Sequence, residues 1–299
     1  MERVPPFRAG RRPPVGAFWL FVLPFAALTG VFGLWPIVLS LQVSFTASAT
    51  ALQPAAQWVG WANYATVLAD PLFIASLGRT LVYTALAVAS TIVLALAYAL
   101  LLHSPWIGRG LTLFKIAIFL PVVTPDVAGY VVWRWLFDQS FGAFNTALGA
   151  LGLPTFGGLA SPDTVLWAVL IAELWHHVGF YVVIFLANLA LCDRGVREAA
   201  EIDGANGWQK FWHVTLPELR PALLVNSVYA LIQYLKTFTV VAVMTKGGPN
   251  DATNFVSYYA YQLFEQGRYG EATAMASILF AIVIALALGL MLLQSRRTS

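Results

Sequence analysis

The chain has 299 residues, of which 59% are hydrophobic and 10% are charged, and its net charge is +3. Soluble domains contain about 25% charged residues, so this composition excludes an ordinary water-soluble globular protein. The mean hydropathy is +0.74, and the apolar runs approach the length of about 20 residues that crosses a bilayer as a helix. The single cysteine, Cys192, excludes an intrachain disulfide and any metal site built from two cysteines of this chain. We therefore expect an all-α polytopic membrane protein.

Six apolar segments, each bounded by charged residues, proline or glycine, predict membrane-spanning helices. Helix is favoured because backbone polar groups must be paired in hydrocarbon, and because these long segments do not alternate like the strands of a barrel. Pro24, Pro36, Pro121 and Pro125 lie inside the segments and predict kinks or helix ends. In chain order, the predicted spans are 17–45, 79–102, 112–137, 165–191, 222–245 and 272–294.

The positions of the cations predict the orientation of the spans. Twelve of the 17 lysines and arginines lie before span one, after span two, after span four or at the C-terminus. Because positively charged loops stay in the cytoplasm, both termini are predicted to be cytoplasmic. The apolar stretch after Arg12 is too long for the core of a cleaved signal peptide, so span one is predicted to be retained. Residues 1–16 then form a flexible cytoplasmic tail, and residues 17–299 form a six-span transmembrane domain.

The sequence offers little catalytic chemistry. No lysine follows a glycine, which excludes a phosphate-binding P-loop. His176 and His177 are adjacent and would point about 100° apart on a helix, so we predict no metal site. The loops are too short for an independent catalytic core, and the dispersed cations argue against nucleic acid as a partner. We predict no catalytic residue and no cofactor bound by this chain.

The most informative segment is the predicted cytoplasmic loop after span four, residues 192–221. Helix-forming residues occupy 197–203, and Gly204 and Gly207 permit a sharp turn. At helical spacing, Ile202, Trp208 and Trp212 would continue a single apolar face that suits a groove on a partner protein. The alternative is a helix that lies on the membrane surface with both tryptophans at headgroup level.

This loop resembles the EAA loop of the permeases of binding-protein-dependent ABC importers, whose pattern is E-A-A, three residues, G, nine residues and I-x-L-P. The chain has Glu198-Ala199-Ala200, then Gly204, then Val214-Thr215-Leu216-Pro217, with valine in place of isoleucine. The similarity extends over most of the chain and is to the sugar permease branch, which includes the maltose, lactose and glycerol-phosphate transport subunits. The chain departs from the family at Asp193, where relatives usually have proline, and at Asn188, where they usually have glycine.

The resemblance implies the type I ABC importer transmembrane fold and a set of partners. In that family the loop forms a coupling helix that sits in a groove of a cytoplasmic ATPase. The implied partners are a second homologous permease, an ABC ATPase dimer that binds ATP and Mg, and an extracytoplasmic solute-binding protein. Apolar contact would hold the coupling helix in its groove, and Glu198 would offer a carboxylate to a cation of the ATPase. The predicted coupling residues are Glu198, Ala199, Ala200, Ile202, Asp203, Gly204 and Ala205.

Polar residues at membrane depth indicate a route for substrate, because a charge there is costly unless it faces a cavity or a partner. Glu173 and His177 share one helix face. By the resemblance, the corresponding parts of spans four and five line the sugar pocket of the maltose permease. The predicted substrate-pathway residues are Glu173, His177, Gln233, Tyr234, Lys236 and Thr237. Four aromatic residues suit stacking on a sugar ring, namely Trp175, Phe180, Tyr234 and Phe238.

Alternatives remain open for these charged groups. Glu173 and Lys236 would form an internal ion pair, or Asp126 and Arg134 would cap a helix and reach the outer interface. A self-contained secondary carrier would use Glu173 and Lys236 for proton coupling. The preferred interpretation is the permease subunit of an ATP-driven importer for a mono- or oligosaccharide, located in a prokaryotic plasma membrane.

The loop after span five begins at Lys246 and is rich in aromatic residues. They would form either an interfacial belt or, together with residues 60–64, a docking face for the extracytoplasmic binding protein. The aromatic residues concerned are Tyr258, Tyr259, Tyr261 and Phe264.

Overall fold

The computed structural model describes residues 15–47, 57–103 and 111–295, and within these ranges the chain is helical and contains no strand. The segments Thr29–Leu34 and Phe211–Thr215 are π-helical. The α-helices are α1 (Val15–Leu28), α2 (Trp35–Ser44), α3 (Ala62–Ala69), α4 (Pro71–His103), α5 (Leu111–Val123), α6 (Asp126–Leu136), α7 (Ala143–Ala150), α8 (Pro162–Leu191), α9 (Arg194–Ile202), α10 (Gly207–Lys210), α11 (Leu216–Glu218), α12 (Arg220–Leu235), α13 (Thr239–Met244), α14 (Val256–Glu265) and α15 (Tyr269–Ser295).

Four of the described segments are long and apolar enough to cross a membrane, and a bent pair of helices makes a fifth if it counts as one span. They correspond to predicted spans one to four and six. The expectation of an all-helical chain with several spans is therefore confirmed for the described residues, whereas residues 1–14 of the predicted tail lie outside them. The segments are Val22–Ser44, Pro71–His103, Pro162–Leu191, Tyr269–Leu293 and the pair Thr112–Val123 with Asp126–Leu136.

Predicted span one is interrupted by a π-helical segment. The segment Thr29–Leu34 joins α1 to α2 without a break in helical backbone angles, and Pro36, the second residue of α2, has no N–H to donate to this preceding turn. α2 packs against α15. Large apolar side chains such as Phe25 and Phe32 remain exposed, as expected for a helix whose surroundings are lipid or a partner helix.

The centre of the bundle is α4, which packs most extensively against α8 and α12. The buried face of α4 carries small residues at helical spacing, which let neighbouring backbones approach closely. These residues are Ser76, Thr80, Thr84, Ala87, Thr91, Ala95 and Ala99. The result is a tight three-helix contact that holds the inward-facing polar groups of α4 against the other two helices.

Predicted span three, 112–137, is not a single kinked helix. α5 and α6 are related by a bend of 106° at residues 124–125. Pro125 is the residue before α6 and has extended backbone geometry (ψ 128°), which is incompatible with continuation of α5. By contrast, Pro121 lies within α5. The bend places the first turn of α6, which contains Asp126, beside the middle of α8.

Predicted span five, 222–245, is also divided. α12 ends at Leu235, and residues 236–238 are not helical before α13 begins at Thr239. The Lys236 N–H donates to the Gln233 carbonyl and the Thr237 N–H donates to the Tyr234 carbonyl, which satisfies two carbonyls at the end of α12. Irregular backbone within a membrane span is tolerated where protein or a cavity surrounds it, so the prediction of a fifth span here implies a cavity at this break.

A glycine permits the close contact between α5 and α8. A Cβ atom added at Gly179 would lie 2.4 Å from the carbonyl oxygen of Ile118 and 2.8 Å from a methyl of Val122. We expect Gly179→Ala to force the two helices apart and to lower the free energy of unfolding by about 1–3 kcal/mol. Thermal unfolding of the purified chain in detergent measures the effect. Gly78→Ala is the matched control, because nothing lies within 4 Å of that Cβ position. An equal melting temperature for Gly179→Ala and the control would contradict the close contact.

Candidate functional site

A polar cavity of about 210 Å³ lies where α6, α8 and the break after α12 meet. Its lining combines carboxylate, imidazole, amide, ammonium and hydroxyl groups with aromatic rings. All six predicted substrate-pathway residues line it. The complete lining is Asp126, Tyr130, Glu173, His177, Tyr181, Gln233, Tyr234, Lys236, Thr237, Phe238 and Thr239. The structure thus brings together, around one space, residues from three segments that are distant in the sequence.

Two larger cavities in the described residues have less suitable linings. One of about 410 Å³ opens at the surface between α14 and the residues around Asp251. The other, of about 380 Å³, lies between α4, α5 and α8, and its lining is mainly apolar. The smaller cavity is the better candidate for solute passage, because it lies at the helix break and carries convergent polar groups.

Glu173 is the most deeply buried charged residue of this cavity, with 6% of its surface exposed. The Tyr83 hydroxyl donates to its Oε2 at 3.0 Å, and the Thr237 hydroxyl donates to the same oxygen at 3.5 Å. No ion pair joins Glu173 to Lys236 within the described residues, so the predicted alternative of an internal ion pair is not what the structure contains. A buried carboxylate held only by hydroxyl groups is positioned to accept hydrogen bonds from a polar solute.

Tyr234 is fixed in the same way by a residue of α4. Its hydroxyl lies 2.7 Å from the Thr91 hydroxyl, and its ring packs edge-on to Tyr83 with ring centroids 6.2 Å apart. Sequence reasoning missed Tyr83 and Thr91 because span two reads as a uniformly apolar helix. The signal that was available is the presence of hydroxyl-bearing residues within that apolar run.

The predicted stacking residues do not all reach the cavity. Tyr234 and Phe238 line it, whereas Trp175 lines the neighbouring apolar cavity instead. Phe180 packs against Tyr229, with ring centroids 4.8 Å apart. Trp175 points about 200° around α8 from Glu173 and so faces away from the cavity. Phe180 shares the face of Glu173 but lies about two turns, or roughly 10 Å, further along the helix.

The two adjacent histidines lie at the side of the cavity formed by α6. Nε2 of His176 is 3.0 Å from Oδ1 of Asp126, and Nε2 of His177 is 3.2 Å from the Tyr130 hydroxyl. The imidazole rings are 4.7 Å apart and nearly perpendicular. The sequence argument considered the histidines alone, on one helix, whereas the bend between α5 and α6 brings Asp126 from a second helix to them.

The predicted coupling segment is a helix, a turn and a second short helix. Asp193 caps α9, its Oδ1 accepting from the Gly195 N–H at 2.8 Å, so the residue that replaces the family's proline starts the helix as a capping residue. At the other end Gly204 has a φ of +78°, and the Ala205 N–H donates to the Ala200 carbonyl at 2.9 Å. Glycine suits this left-handed position, which terminates the helix.

The turn at Gly204 corrects one sequence expectation. Ile202, Trp208 and Trp212 do not form one continuous helical face, because α9 ends at Ile202 and α10 begins at Gly207. Asn206 and Gln209 form a reciprocal capping box that starts the second helix. Lys210 then bonds Glu201 at 2.8 Å across the turn and lowers the pKa of that carboxyl.

The predicted coupling residues are accessible on the described chain. Glu198, Ala199, Asp203 and Gly204 are exposed, Ala200 and Ala205 are half-buried, and Ile202 is 86% exposed. Trp208 is also 71% exposed and packs edge-on against Trp212. Apolar side chains at this exposure, next to a capped and well-defined turn, suit contact with another protein or with lipid headgroups.

The aromatic residues of α14 divide into two groups. Tyr258 and Tyr259 are buried, whereas Tyr261 and Phe264 are exposed. The Tyr259 hydroxyl donates to Oδ2 of Asp70 at 2.5 Å, and burial together with this carboxylate raises the pKa of Tyr259 to about 12. Only the exposed pair is therefore available for a belt or for a docking face.

Comparison with known proteins shows the family of the chain. The profile of the family described as "Binding-protein-dependent transport system inner membrane component" matches residues 72–299. The chain is 30% identical over 266 residues to the trehalose/maltose transport system permease protein MalF of Thermococcus litoralis, covering 89% of each protein. It is 34% identical over 250 residues to the lactose transport system permease protein LacF of Rhizobium radiobacter, covering 82% of each.

The fold is shared with a solved transporter. A chain in the crystal structure of a bacterial ABC transporter involved in the import of the acidic polysaccharide alginate superposes with a TM-score of 0.84 at 23% identity, covering 95% of this chain and 96% of the other. The profile match extends over more than half of the chain and includes α8, the α9–α10 segment and the broken α12–α13 pair. The chain belongs to the family of inner membrane components of binding-protein-dependent transport systems.

Proposed function

We propose that this chain is a sugar-translocating subunit of an ATP-driven importer. It has six spans with both termini in the cytoplasm of a prokaryotic cell, α12 and α13 together forming the fifth. It pairs with a second, homologous permease, and the two spanning subunits sit on an ABC ATPase dimer. An extracytoplasmic solute-binding protein delivers the sugar, and ATP and Mg bind to the ATPase subunits. The names of the maltose and lactose relatives support a sugar as the substrate class.

The observation that carries the proposal is the composition of the cavity at the break between α12 and α13. Sugar hydroxyls both donate and accept, and the lining offers an acceptor carboxylate in Glu173, an amide in Gln233 and a hydroxyl in Thr237. The rings of Tyr234 and Phe238 supply apolar surface for the carbon face of a sugar. The small size of the cavity, about 210 Å³, suits contact with one sugar residue at a time, including the leading residue of a longer chain.

The proposed mechanism needs no chemical step in this chain. ATP-driven closure of the ATPase dimer moves the α9–α10 segment, and α8 carries that movement to the cavity. The cavity then opens alternately to the outside and to the cytoplasm. The residues of the lining bind and orient the sugar in both states, and weak, multiple hydrogen bonds allow release.

A secondary carrier is the second candidate, because Glu173 and Lys236 line the same cavity. Such a carrier would need a proton-linked change at one of these groups. The exposed apolar α9–α10 segment has no role in that mechanism, whereas it has one in an ATPase-coupled permease. We therefore favour the importer.

Reconstitution separates the two candidates. The chain, its sister permease, the ATPases and the binding protein are placed in proteoliposomes, and uptake of a labelled sugar bound by that receptor is measured. We expect uptake only with ATP and with all subunits present, accompanied by sugar-stimulated ATP hydrolysis. Uptake by the purified chain alone, driven by a proton gradient without ATP, would overturn the importer assignment.

A further inference from the structure

Three potential metal ligands from two helices converge beside the cavity. A carboxylate oxygen of Asp126 and one ring nitrogen from each of His176 and His177 lie within 4.8 Å of one another. Asp126 comes from the first turn of α6, and the two histidines come from the middle of α8. The cluster therefore joins two helices and is more than a pair of neighbouring side chains on one helix.

The spacing of two of these atoms suits coordination to one ion. Two ligands about 2.1 Å from a tetrahedral metal lie roughly 3.4 Å apart. Nε2 of His176 and Oδ1 of Asp126 are 3.0 Å apart, close to that separation. His177 would complete the set by a small ring movement, exchanging its contact with the Tyr130 hydroxyl for the ion.

The surroundings of the three ligands favour a cation, and the ligand side chains differ in how freely they can move. The His176 side chain is 2% exposed and held in the interior, while the Asp126 side chain is 53% exposed and is free to adjust. A second carboxylate, Glu173, lines the same cavity and has no cationic partner within the described residues. Lys236 also lines the cavity, but its side chain is exposed on the described chain and forms no ion pair with either carboxylate there. Two carboxylates balance the charge of a divalent ion.

The ligand types identify the class of metal. Imidazole nitrogens select zinc and similar transition metals, whereas calcium and magnesium require oxygen ligands. Two histidines with one carboxylate leave a fourth position for water, for the Tyr130 hydroxyl or for a solute oxygen. We propose that Asp126, His176 and His177 form a binding site for a divalent transition-metal ion of the zinc class, which links α6 to α8 at the edge of the cavity.

Metal binding is tested on the full-length chain in detergent, purified with a tag that contains no histidine. Co²⁺ is the spectroscopic probe, and Zn²⁺ alone is the competitor. We expect a saturable visible absorption with one Co²⁺ per chain, lost on addition of Zn²⁺, and a rise in melting temperature with Zn²⁺, because an ion that binds the folded state stabilises it. This binding does not depend on the proposed transport function.

The variants are made at Asp126 and His177, because replacing the buried His176 would also disturb the packing of the interior. We expect Asp126→Asn and His177→Gln each to weaken Co²⁺ binding at least about tenfold. The separate variant Asp126→Glu keeps a carboxylate at this position and should retain most of the Co²⁺ affinity of the parent chain. His213→Gln is the matched control, because that histidine lies in the cytoplasmic segment and bonds the Gln209 carbonyl. Melting of each variant without metal verifies folding. Absence of a saturable Co²⁺ signal, equal affinity in Asp126→Asn and the parent chain, or loss of binding in His213→Gln would each overturn the site.

Discussion

Gly204→Asp is expected to leave the permease in the membrane and to reduce sugar-stimulated ATP hydrolysis of the assembled transporter to its basal rate. Nothing in the described chain lies within 4 Å of a Cβ atom at Gly204, so the added side chain meets no obstacle within the subunit. The φ of +78° disfavours most L-residues, but aspartate is among those that tolerate this region. Local strain is therefore modest, and the loss of coupling must arise where the turn meets the ATPase.

Gly207→Asp is the matched control for this prediction. It introduces the same charge three residues away, also with no atom within 4 Å of the Cβ position, and at the start of α10, where an acidic residue favours a helix. We expect this variant to retain coupling. Membrane content of both variants, and co-purification of the ATPase with each, are measured alongside hydrolysis. Normal stimulation in Gly204→Asp would contradict the docking role of the turn.

The second large effect is expected from Glu173→Gln. The glutamine oxygen can still accept from Tyr83 and Thr237, so the variant retains the shape of the site and removes its charge. Hydrogen bonds to a charged group contribute about 1.5–3 kcal/mol. We therefore expect the KM for sugar uptake to rise roughly 10- to 100-fold, at about 1.4 kcal/mol per factor of ten. Transport by proteoliposomes over a range of receptor-bound sugar concentrations measures this change.

Asp163→Asn is the control for Glu173→Gln. It neutralises a carboxylate on the same helix, α8, but in its exposed first turn and away from the cavity. We expect its uptake kinetics to match those of the parent protein. Gln233→Ala, which removes an amide from the cavity lining, should also raise the KM. Unchanged KM and maximal rate in both cavity variants would show that the sugar passes elsewhere.

The two predictions concern sites that one helix connects. α8 runs without interruption from Pro162 to Leu191, and only Cys192 and Asp193 separate it from α9. From Glu173 to the end of α8 is a rise of about 27 Å at 1.5 Å per residue. We expect such a continuous helix to transmit a displacement of the α9–α10 segment to the cavity with little loss, because its backbone hydrogen bonds resist bending. Asp193 caps the first turn of α9 directly after this helix, its Oδ1 accepting from the Gly195 N–H.

The second wall of the cavity is built differently. α12 stops at Leu235, and the non-helical residues that follow carry Lys236, Thr237 and Phe238 into the lining. A broken helix supplies backbone and side chains that change conformation at lower cost than a continuous one. The cavity thus lies between one rigid helix and one interrupted helix, an arrangement that suits a site whose access must alternate.

The amino-acid sequence by itself determined the membrane class, the apolar segments, the family loop from Glu198 to Pro217 and six of the residues that line the cavity. These features depend on local composition and residue spacing, and both can be seen directly in the hydropathy and motifs of the sequence. The turn at Gly204, just after α9 ends at Ile202, was predictable for the same reason, since a left-handed turn favours glycine.

Only the tertiary structure decided which groups meet. Tyr83 reaches Glu173 over 90 residues of sequence, and Thr91 reaches Tyr234 over 143. Asp126 meets His176 because of the 106° bend between α5 and α6. Hydropathy cannot specify such contacts, because lipid is as apolar as the helix surfaces and provides no hydrophobic preference for one helix pairing over another. The pairing follows from side-chain fit and buried hydrogen bonds, which exist only once the helices are packed.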